Sequence, residues 1–161
     1  MSQKVLVVVS HFNQKVTRSL LEGALETLYN AGLQKSQVDV IEVPGAFELP
    51  VVAAKGARSG RWDSVICLGC VIRGETPHFD YVCQEAARGM MNVSLETEKP
   101  VIFGVLTTDT SQQALARSGL GHPAKADSEG VKQLVENKGV DAAEAALEMM
   151  GIFSDWENSW S

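Results

Sequence analysis

Cysteines and positive charges are both scarce in this sequence. Its 161 residues include three cysteines, an odd and sparse number that argues against a framework of disulfide bonds and favours a reducing cytoplasm. Lysines and arginines number 14 against 20 aspartates and glutamates, which gives a formal net charge of -6. This charge repels polyanions and argues against nucleic-acid binding, although it leaves room for a local basic pocket that binds a small anion.

Long hydrophobic runs are also missing. No stretch approaches the roughly 20 apolar residues that span a bilayer, and the first residues, MSQKVLVVVS, are too few for a secretory signal. Hydrophobic residues still make up 45% of the chain, which is enough for a normal core. We therefore predict a single domain over residues 1–161, without a membrane segment.

Cys67 and Cys70, in the stretch VICLGCVI, have the spacing of a metal-binding or redox motif. The surrounding apolar pattern predicts a strand, however, in which residues three apart point to opposite faces. The two sulfurs would then be unable to share a metal ion or to pair easily. We interpret both as small buried hydrophobic residues and expect no metal site.

Short apolar runs alternate with segments of helical period. The runs predict four strands, at 4–10, 38–45, 63–72 and 100–108. The segments between and after them predict helices at 16–32, 48–60, 79–97 and 110–119, the last capped by Thr110 or Ser111. Unbroken apolar strands that alternate with helices indicate a parallel sheet covered on both faces. The predicted fold is a three-layer α/β/α sandwich of flavodoxin-like type with four parallel strands.

The C-terminal part of the sequence is less regular. A Gly-His-Pro turn precedes a short predicted helix that starts near Asp127 or Ser128, and a last helix is predicted at 140–153. A polar-aromatic tail, 154–161, follows. We expect Trp156 and Trp160 in this tail to pack on this subunit or on a neighbour, because an exposed indole is costly.

Unusual residues follow each predicted strand: SHFN, PGAFE, RGETPH and TTDT. In open parallel sheets, ligands bind outside the carboxyl ends of the strands, so we expect the four loops to converge on one pocket. The third loop holds Glu75, Thr76 and His78, whose imidazole can exchange protons near neutral pH. Arg73 in the same loop is either a member of the site or a structural ion-pair partner.

Five stretches of the chain together resemble the lumazine synthase family, from about Val5 to Met150. They are HFN, VPGAFELP, LGCVIRGETPHFDYV, VIFGVLTT and ENKGVDAAEAALEM. The resemblance implies an enzyme that condenses 5-amino-6-(D-ribitylamino)uracil with 3,4-dihydroxy-2-butanone 4-phosphate. The products would be 6,7-dimethyl-8-ribityllumazine, phosphate and water, with no metal or organic cofactor.

The resemblance also implies a role for each site residue. Phe12 would stack on the pyrimidinedione ring, and His78 would transfer protons. Ala46, Phe47 and Glu48 would line the ribityl chain, while Cys70, Val71 and Ile72 would hold the uracil edge. Glu75 and Thr76 would lie at the ketone phosphate. Phe103 and the phosphate-binding Arg117 would come from a neighbouring subunit, and Lys138 would add positive charge nearby.

The chain departs from the family pattern in two places. Family members usually begin with an additional segment that adds a strand to the next subunit's sheet, and the run between the phosphate arginine and the NKG lysine is normally short. Here an insertion at about 120–136 separates Arg117 from Lys138. Because insertions at this turn tend to leave free rings in this family, we expect a pentamer or a pair of pentamers rather than a sixty-subunit shell.

Two other functions are compatible with such a fold. One is a riboflavin synthase, which would dismutate two lumazine molecules. The other is a non-catalytic flavin- or lumazine-binding protein, or a shell protein. The RGETPHFDYV stretch favours lumazine synthase over the first, and the presence of both His78 and Arg117 argues against the second.

Overall fold

A four-stranded parallel sheet forms the centre of the protein. The structure, a computed structural model, describes residues 3–121 and 136–160, with only the backbone of Trp160. The strands are β1 (Val5–Ser10), β2 (Val38–Val43), β3 (Ser64–Ile72) and β4 (Val101–Thr108). Their order across the sheet is β2-β1-β3-β4, and each neighbouring pair is parallel. Among the described strands, β4 is therefore the outermost on one side.

Helices cover both faces of this sheet. They are α1 (Gln14–Asn30), α2 (Leu49–Arg58), α3 (His78–Thr97), α4 (Ser111–Ala116) and α5 (Lys138–Trp160), with 3₁₀ turns at Lys35–Gln37 and Ala46–Glu48. Helices α1 and α5 pack together on one face, and α2 and α3 on the other. The predicted three-layer α/β/α fold is confirmed. No described helix is both long enough and apolar enough to cross a bilayer.

The two core layers follow from the alternation of side chains along each strand. In β1, Val5 and Val7 face the α1–α5 layer, whereas Leu6 faces the α2–α3 layer. In β3, Cys67 lies in the α2–α3 layer and Cys70 in the other. The prediction that these two thiols point to opposite faces is confirmed, and both are buried and free.

Local sequence signals explain where the helices begin and end. Thr110 caps α4, as predicted, by accepting a hydrogen bond from the backbone N–H of Gln113 at 3.2 Å. Pro50 lies in the first turn of α2, where its missing N–H costs nothing. Gly32, with φ of 101°, follows the end of α1 and allows the chain to reverse there.

The predicted end of the last helix at residue 153 is wrong. Helix α5 continues without a break to Trp160, because the segment SDWENSW contains neither glycine nor proline to interrupt it. The expected tail is thus the exposed end of α5, and Trp156 there is 65% exposed on the single subunit. Its packing on this subunit or on a neighbour stays a prediction. The short helix predicted near Asp127 lies outside the described residues, as does nearly all of the 120–136 insertion.

Candidate active site

The first cavity opens at the carboxyl ends of β1, β2 and β3 and encloses about 630 Å³. It is formed by the loops that follow these three strands and by the start of α3. Its lining residues are Phe12, Gly45, Ala46, Phe47, Glu48, Cys70, Val71, Ile72, Gly74, Thr76, His78, Phe79, Tyr81 and Val82. The fourth loop, after β4, contributes nothing to this lining, so the expectation that all four loops converge on one pocket is wrong.

Two aromatic rings stand exposed in the first cavity. Phe12 is 71% exposed and Phe47 is 57% exposed, although phenyl rings are among the side chains that folding most often buries. Exposed rings that line a concave surface are typical of a site that binds a flat, partly apolar ligand. The first cavity therefore has walls suited to a flat ring.

Asn13 fixes the loop that presents Phe12. Its backbone is left-handed, with φ of 59°, a conformation that asparagine tolerates better than most residues. Its side-chain amide donates a 2.9 Å hydrogen bond to the carbonyl oxygen of Cys70. The loop after β1 is thereby tied to the end of β3. Asn13 was not among the residues expected at the site, although an asparagine between a strand and a helix is a recognisable turn signal.

The thiol of Cys70 contributes a neutral surface to the first cavity. Burial raises the pKa of Cys70 to about 11, and that of Cys67, behind it in β3, to about 12. Both groups are therefore thiols rather than thiolates at neutral pH, and Cys70 is unsuited to act as a nucleophile. Within the described parts of the chain, no group of three or more His, Cys, Asp or Glu side chains is arranged to hold a metal ion.

The polar part of the first cavity lies at the start of α3. Pro77 precedes the helix and His78 is its first residue, so the imidazole is exposed at the cavity wall beside Thr76. Tyr81 follows one helical turn after His78 and lines the same wall. Tyr81 was not among the residues expected at the site. It shares a helix face with His78 because α3 begins at His78, one residue before the predicted helix 79–97.

Arg73 and Glu75, from the same loop, are absent from the lining of this cavity. The Arg73 guanidinium donates hydrogen bonds to Asp109 at 2.8 Å and to Asp80 at 3.1 Å. It also lies 4.2 Å from the centre of the Phe79 ring. Hydrogen bonds to Asp109 first, and then to Asp80, raise the pKa of Arg73 above its ordinary value. These contacts are those of a structural ion-pair partner, one of the two roles left open by the sequence.

A second cavity, of about 340 Å³, runs along β4 and the beginning of α5. Its lining residues are Ile102, Phe103, Gly104, Val105, Leu106, Thr107, Thr108, Arg117, Lys138, Asp141, Ala142 and Ala145. Phe103 is 44% exposed there. Since β4 is the outermost described strand on this side, the cavity faces away from the sheet rather than into it.

Arg117 and Lys138 are neighbours in the second cavity despite the insertion between them. Lys138 forms ion pairs with Asp141 at 2.8 Å and Glu136 at 3.0 Å, and hydrogen bonds to these two carboxylates raise its pKa. Arg117 donates a hydrogen bond of 3.2 Å to the backbone carbonyl of Gln113. It has no carboxylate partner within the part of the chain that the structure describes. Arg117 is thus the cation better able to accept an incoming anion.

The two cavities share no lining residue. Of the residues expected at the site, the first contains Phe12, Ala46, Phe47, Glu48, Cys70, Val71, Ile72, Thr76 and His78. The second contains Phe103, Arg117 and Lys138. Among the described residues, the lining of the first contains no lysine or arginine, whereas that of the second contains Arg117 and Lys138. The expected site residues are therefore divided between two separate cavities of the single subunit.

Known proteins resemble this chain over almost its whole length. A family model described as 6,7-dimethyl-8-ribityllumazine synthase matches residues 2–154. A curated 6,7-dimethyl-8-ribityllumazine synthase from Salinibacter ruber is 54% identical over 151 residues, which cover 94% of this chain and 88% of the relative.

Proposed function

This chain belongs to the 6,7-dimethyl-8-ribityllumazine synthase family of riboflavin biosynthesis, and on that premise we propose how its two cavities perform the reaction. The chain is an enzyme of the transferase class. The substrates are 5-amino-6-(D-ribitylamino)uracil and 3,4-dihydroxy-2-butanone 4-phosphate. The observation on which the proposal rests is the division of the site residues into an aromatic half without cations and a cationic half.

The first cavity binds the ribitylaminouracil. Phe12 stacks on the pyrimidinedione ring, and the end of β3, Cys70–Ile72, faces the uracil edge. The 3₁₀ turn Ala46–Glu48 lines the ribityl chain, whose hydroxyl groups donate hydrogen bonds to the Glu48 carboxylate. The exposed Phe12 ring and the neutral Cys70 thiol support this assignment, because a flat, uncharged ring system gains most from aromatic and apolar walls.

His78 exchanges protons during the reaction. The 5-amino group of the uracil attacks the ketone carbon, and the resulting carbinolamine loses water once its hydroxyl group is protonated. A proton then leaves the adjacent carbon as the C–O bond to phosphate breaks. The enol that results gains a proton at its terminal carbon and loses its hydroxyl proton, which gives a methyl ketone. The ribityl-bearing nitrogen attacks this second carbonyl and closes the ring with loss of a second water. The His78 imidazole at the cavity wall is suited to each of these proton transfers, and the alignment of the two substrates provides much of the rate enhancement.

The phosphate binds in the second cavity of a neighbouring subunit. Glu75 and Thr76 of the subunit that binds the uracil lie at the ketone phosphate. Arg117 of the neighbour binds the phosphate through its forked N–H groups, and Lys138 of the same neighbour adds positive charge. Phe103 closes over the pyrimidine from the same neighbour. The absence of cations from the first cavity's described lining supports a shared site, since a phosphate dianion requires a positive partner.

A shared site requires an oligomer. The first cavity of each subunit forms one active centre, and its second cavity completes the active centre of the next subunit. Such a head-to-tail arrangement of identical contacts gives a closed ring. We infer a pentamer or a pair of pentamers in the cytoplasm, rather than a sixty-subunit shell.

Mixing the two substrates with the protein tests the activity directly, because the lumazine product is fluorescent. Fluorescence that appears only when both substrates are present supports the synthase. Riboflavin formed from the lumazine alone would instead indicate a riboflavin synthase. Binding of the lumazine without turnover of either substrate set would indicate a carrier or shell protein.

A further inference from the structure

Arg73 lies where three elements of the fold meet. Its backbone N–H donates a 2.8 Å hydrogen bond to the carbonyl of Thr108 at the end of β4. Its side chain spans from the end of β3 to Asp80 in the first turn of α3 and to Asp109 in the turn after β4. Arg73 lines neither cavity, so it is placed to act on the site through other residues.

One arm of this contact holds the start of α3. The guanidinium bonds to Asp80 at 3.1 Å and lies over the ring of Phe79, 4.2 Å from its centre. Phe79 is only 8% exposed and also lines the first cavity. Because these two residues directly follow His78, the contact sets the direction of the helix start from which the imidazole projects.

The other arm leads to Arg117. Asp109 accepts a 2.8 Å hydrogen bond from Arg73 Nε, and its own backbone N–H donates to the side-chain oxygen of Gln113 at 2.8 Å. The backbone carbonyl of Gln113 accepts a 3.2 Å hydrogen bond from the Arg117 guanidinium. Three hydrogen bonds, connected through the covalent frameworks of Asp109 and Gln113, thus join Arg73 to the cation of the second cavity.

We propose that Arg73 is a positioning residue that holds His78 in the first cavity and Arg117 in the second. This inference rests on the roles proposed above for those two residues. In a ring, the two cavities of one subunit belong to different active centres, so Arg73 contributes to both. Lysine would not replace it, because an ammonium group has neither the planar face that stacks on Phe79 nor a fork that reaches two carboxylates.

The two arms can be separated by substitution. Asp80→Asn weakens the arm to α3, and we expect it to lower kcat about tenfold while leaving KM for the butanone phosphate unchanged. Asp109→Asn weakens the arm to β4 and α4, and we expect it to raise that KM several-fold with little effect on kcat. Arg73→Met should show both changes, and Arg73→Lys should restore only part of the loss. The matched control is Arg88→Met, which removes an exposed α3 arginine paired with Glu85 outside both cavities.

Stability and assembly are measured on the same preparations. Exposed ion pairs contribute little to stability, so we expect the Tm and the ring mass of the Arg73 variants to match those of Arg88→Met. The double variant Arg73→Met/Asp109→Asn should have the same kinetic constants as Arg73→Met alone, because both substitutions remove the same contact between Arg73 and Asp109. Should Arg73→Met fail to fold, the asparagine variants still test each arm.

Unchanged kinetic constants in Arg73→Met, or losses that only follow a lower Tm or a lost ring, would overturn the inference. So would equal effects of Asp80→Asn and Asp109→Asn on both constants. The proposed roles of the two end points are checked separately by His78→Ala and Arg117→Ala. Normal kinetics in those variants would overturn the roles themselves, whatever the Arg73 variants show.

Discussion

The backbone N–H of Lys138 donates a 2.8 Å hydrogen bond to the carbonyl oxygen of Arg117. A second hydrogen bond, from Gly119 N–H to the Glu136 carbonyl, also measures 2.8 Å, and Ser118 and Asn137 pair as an antiparallel bridge. Residues 117–119 therefore lie directly beside residues 136–138. An insertion between closely spaced ends costs little, since the entropy of loop closure grows slowly with length.

Asn137 anchors the point of return. Its side chain donates to the Ser19 carbonyl at 3.1 Å and accepts from the Gly139 N–H at 2.8 Å. At Gly139, a Cβ atom would collide with the carbonyl of Leu20, so only glycine allows α5 to begin this close to α1. The NKG sequence thus places Lys138 beside Arg117, whatever the length of the segment in between.

His78→Ala should slow turnover by about 10² to 10⁴ while leaving the affinity for the ribitylaminouracil largely intact. The imidazole transfers protons in this proposal, whereas Phe12 and the end of β3 provide the binding surface. Single-turnover kinetics and equilibrium titration with the uracil substrate measure the two effects separately. His11→Gln is the control, because His11 lines neither of the two cavities and pairs with Glu42 at 3.3 Å. An unchanged rate in His78→Ala would remove this residue from the mechanism.

Arg117→Ala should raise KM for the butanone phosphate about tenfold to a hundredfold, the usual effect of losing a charged hydrogen-bond partner. KM for the uracil should change little. Steady-state kinetics with each substrate varied in turn provide the test, with Arg88→Ala as the exposed control. If Arg117→Ala changed only KM for the uracil, the assignment of Arg117 to the phosphate would be wrong.

Mixed rings should be more active than either of two impaired variants alone. If each active centre combines His78 of one subunit with Arg117 of the next, subunits with His78→Ala and subunits with Arg117→Ala can form some centres in which both residues are intact. Co-expression of the two variants, followed by an activity assay of the purified rings, measures this. A mixture with no more activity than its components would mean that each site lies within one subunit.

Light scattering of the purified protein should give the mass of a pentamer or of a pair of pentamers. Replacing residues 122–135 with a short glycine-containing link should leave Arg117 beside Lys138, because the two hydrogen bonds at the bridge do not involve the replaced residues. We therefore expect this variant to retain activity while gaining the ability to form larger assemblies. A mass near sixty subunits for the unaltered chain would contradict the expectation.

The free energy of unfolding should fall as the pH rises above about 9, the ordinary pKa of a thiol, towards about 12. In that window the unfolded chain has lost the proton of Cys67 while the folded chain retains it, so the unfolded state binds fewer protons and is favoured by rising pH. Below this window Cys67 adds no pH dependence. The slope is about 1.4 kcal/mol per pH unit for each such thiol.

Urea denaturation at a series of pH values measures this slope. Cys67→Ala should be less stable at every pH, because it leaves a small cavity, but its stability should fall less steeply with pH. Parallel curves for the two proteins would exclude Cys67 as the source of the pH dependence.

The sequence alone determined the fold and most of the first cavity. Unbroken apolar runs such as that of β3, alternating with helical segments, left few arrangements other than a covered parallel sheet. The residues after the first three strands then had to meet at one edge of it, which brought Phe12, Glu48 and His78 together. The same local pattern correctly predicted that Cys67 and Cys70 point to opposite faces of the sheet, because the alternation of side chains along a strand does not depend on distant contacts.

Only the tertiary structure decided the positions of the other site residues, because these positions depend on contacts between residues far apart in sequence. The separation of Phe103 and Arg117 from the first cavity follows from the position of β4 at the edge of the sheet. The role of Arg73 follows from Asp109, which lies at the end of another strand. Lys138 lies beside Arg117 because Gly139 permits close approach of α5 to α1. The spacing of residues in the sequence does not indicate this approach.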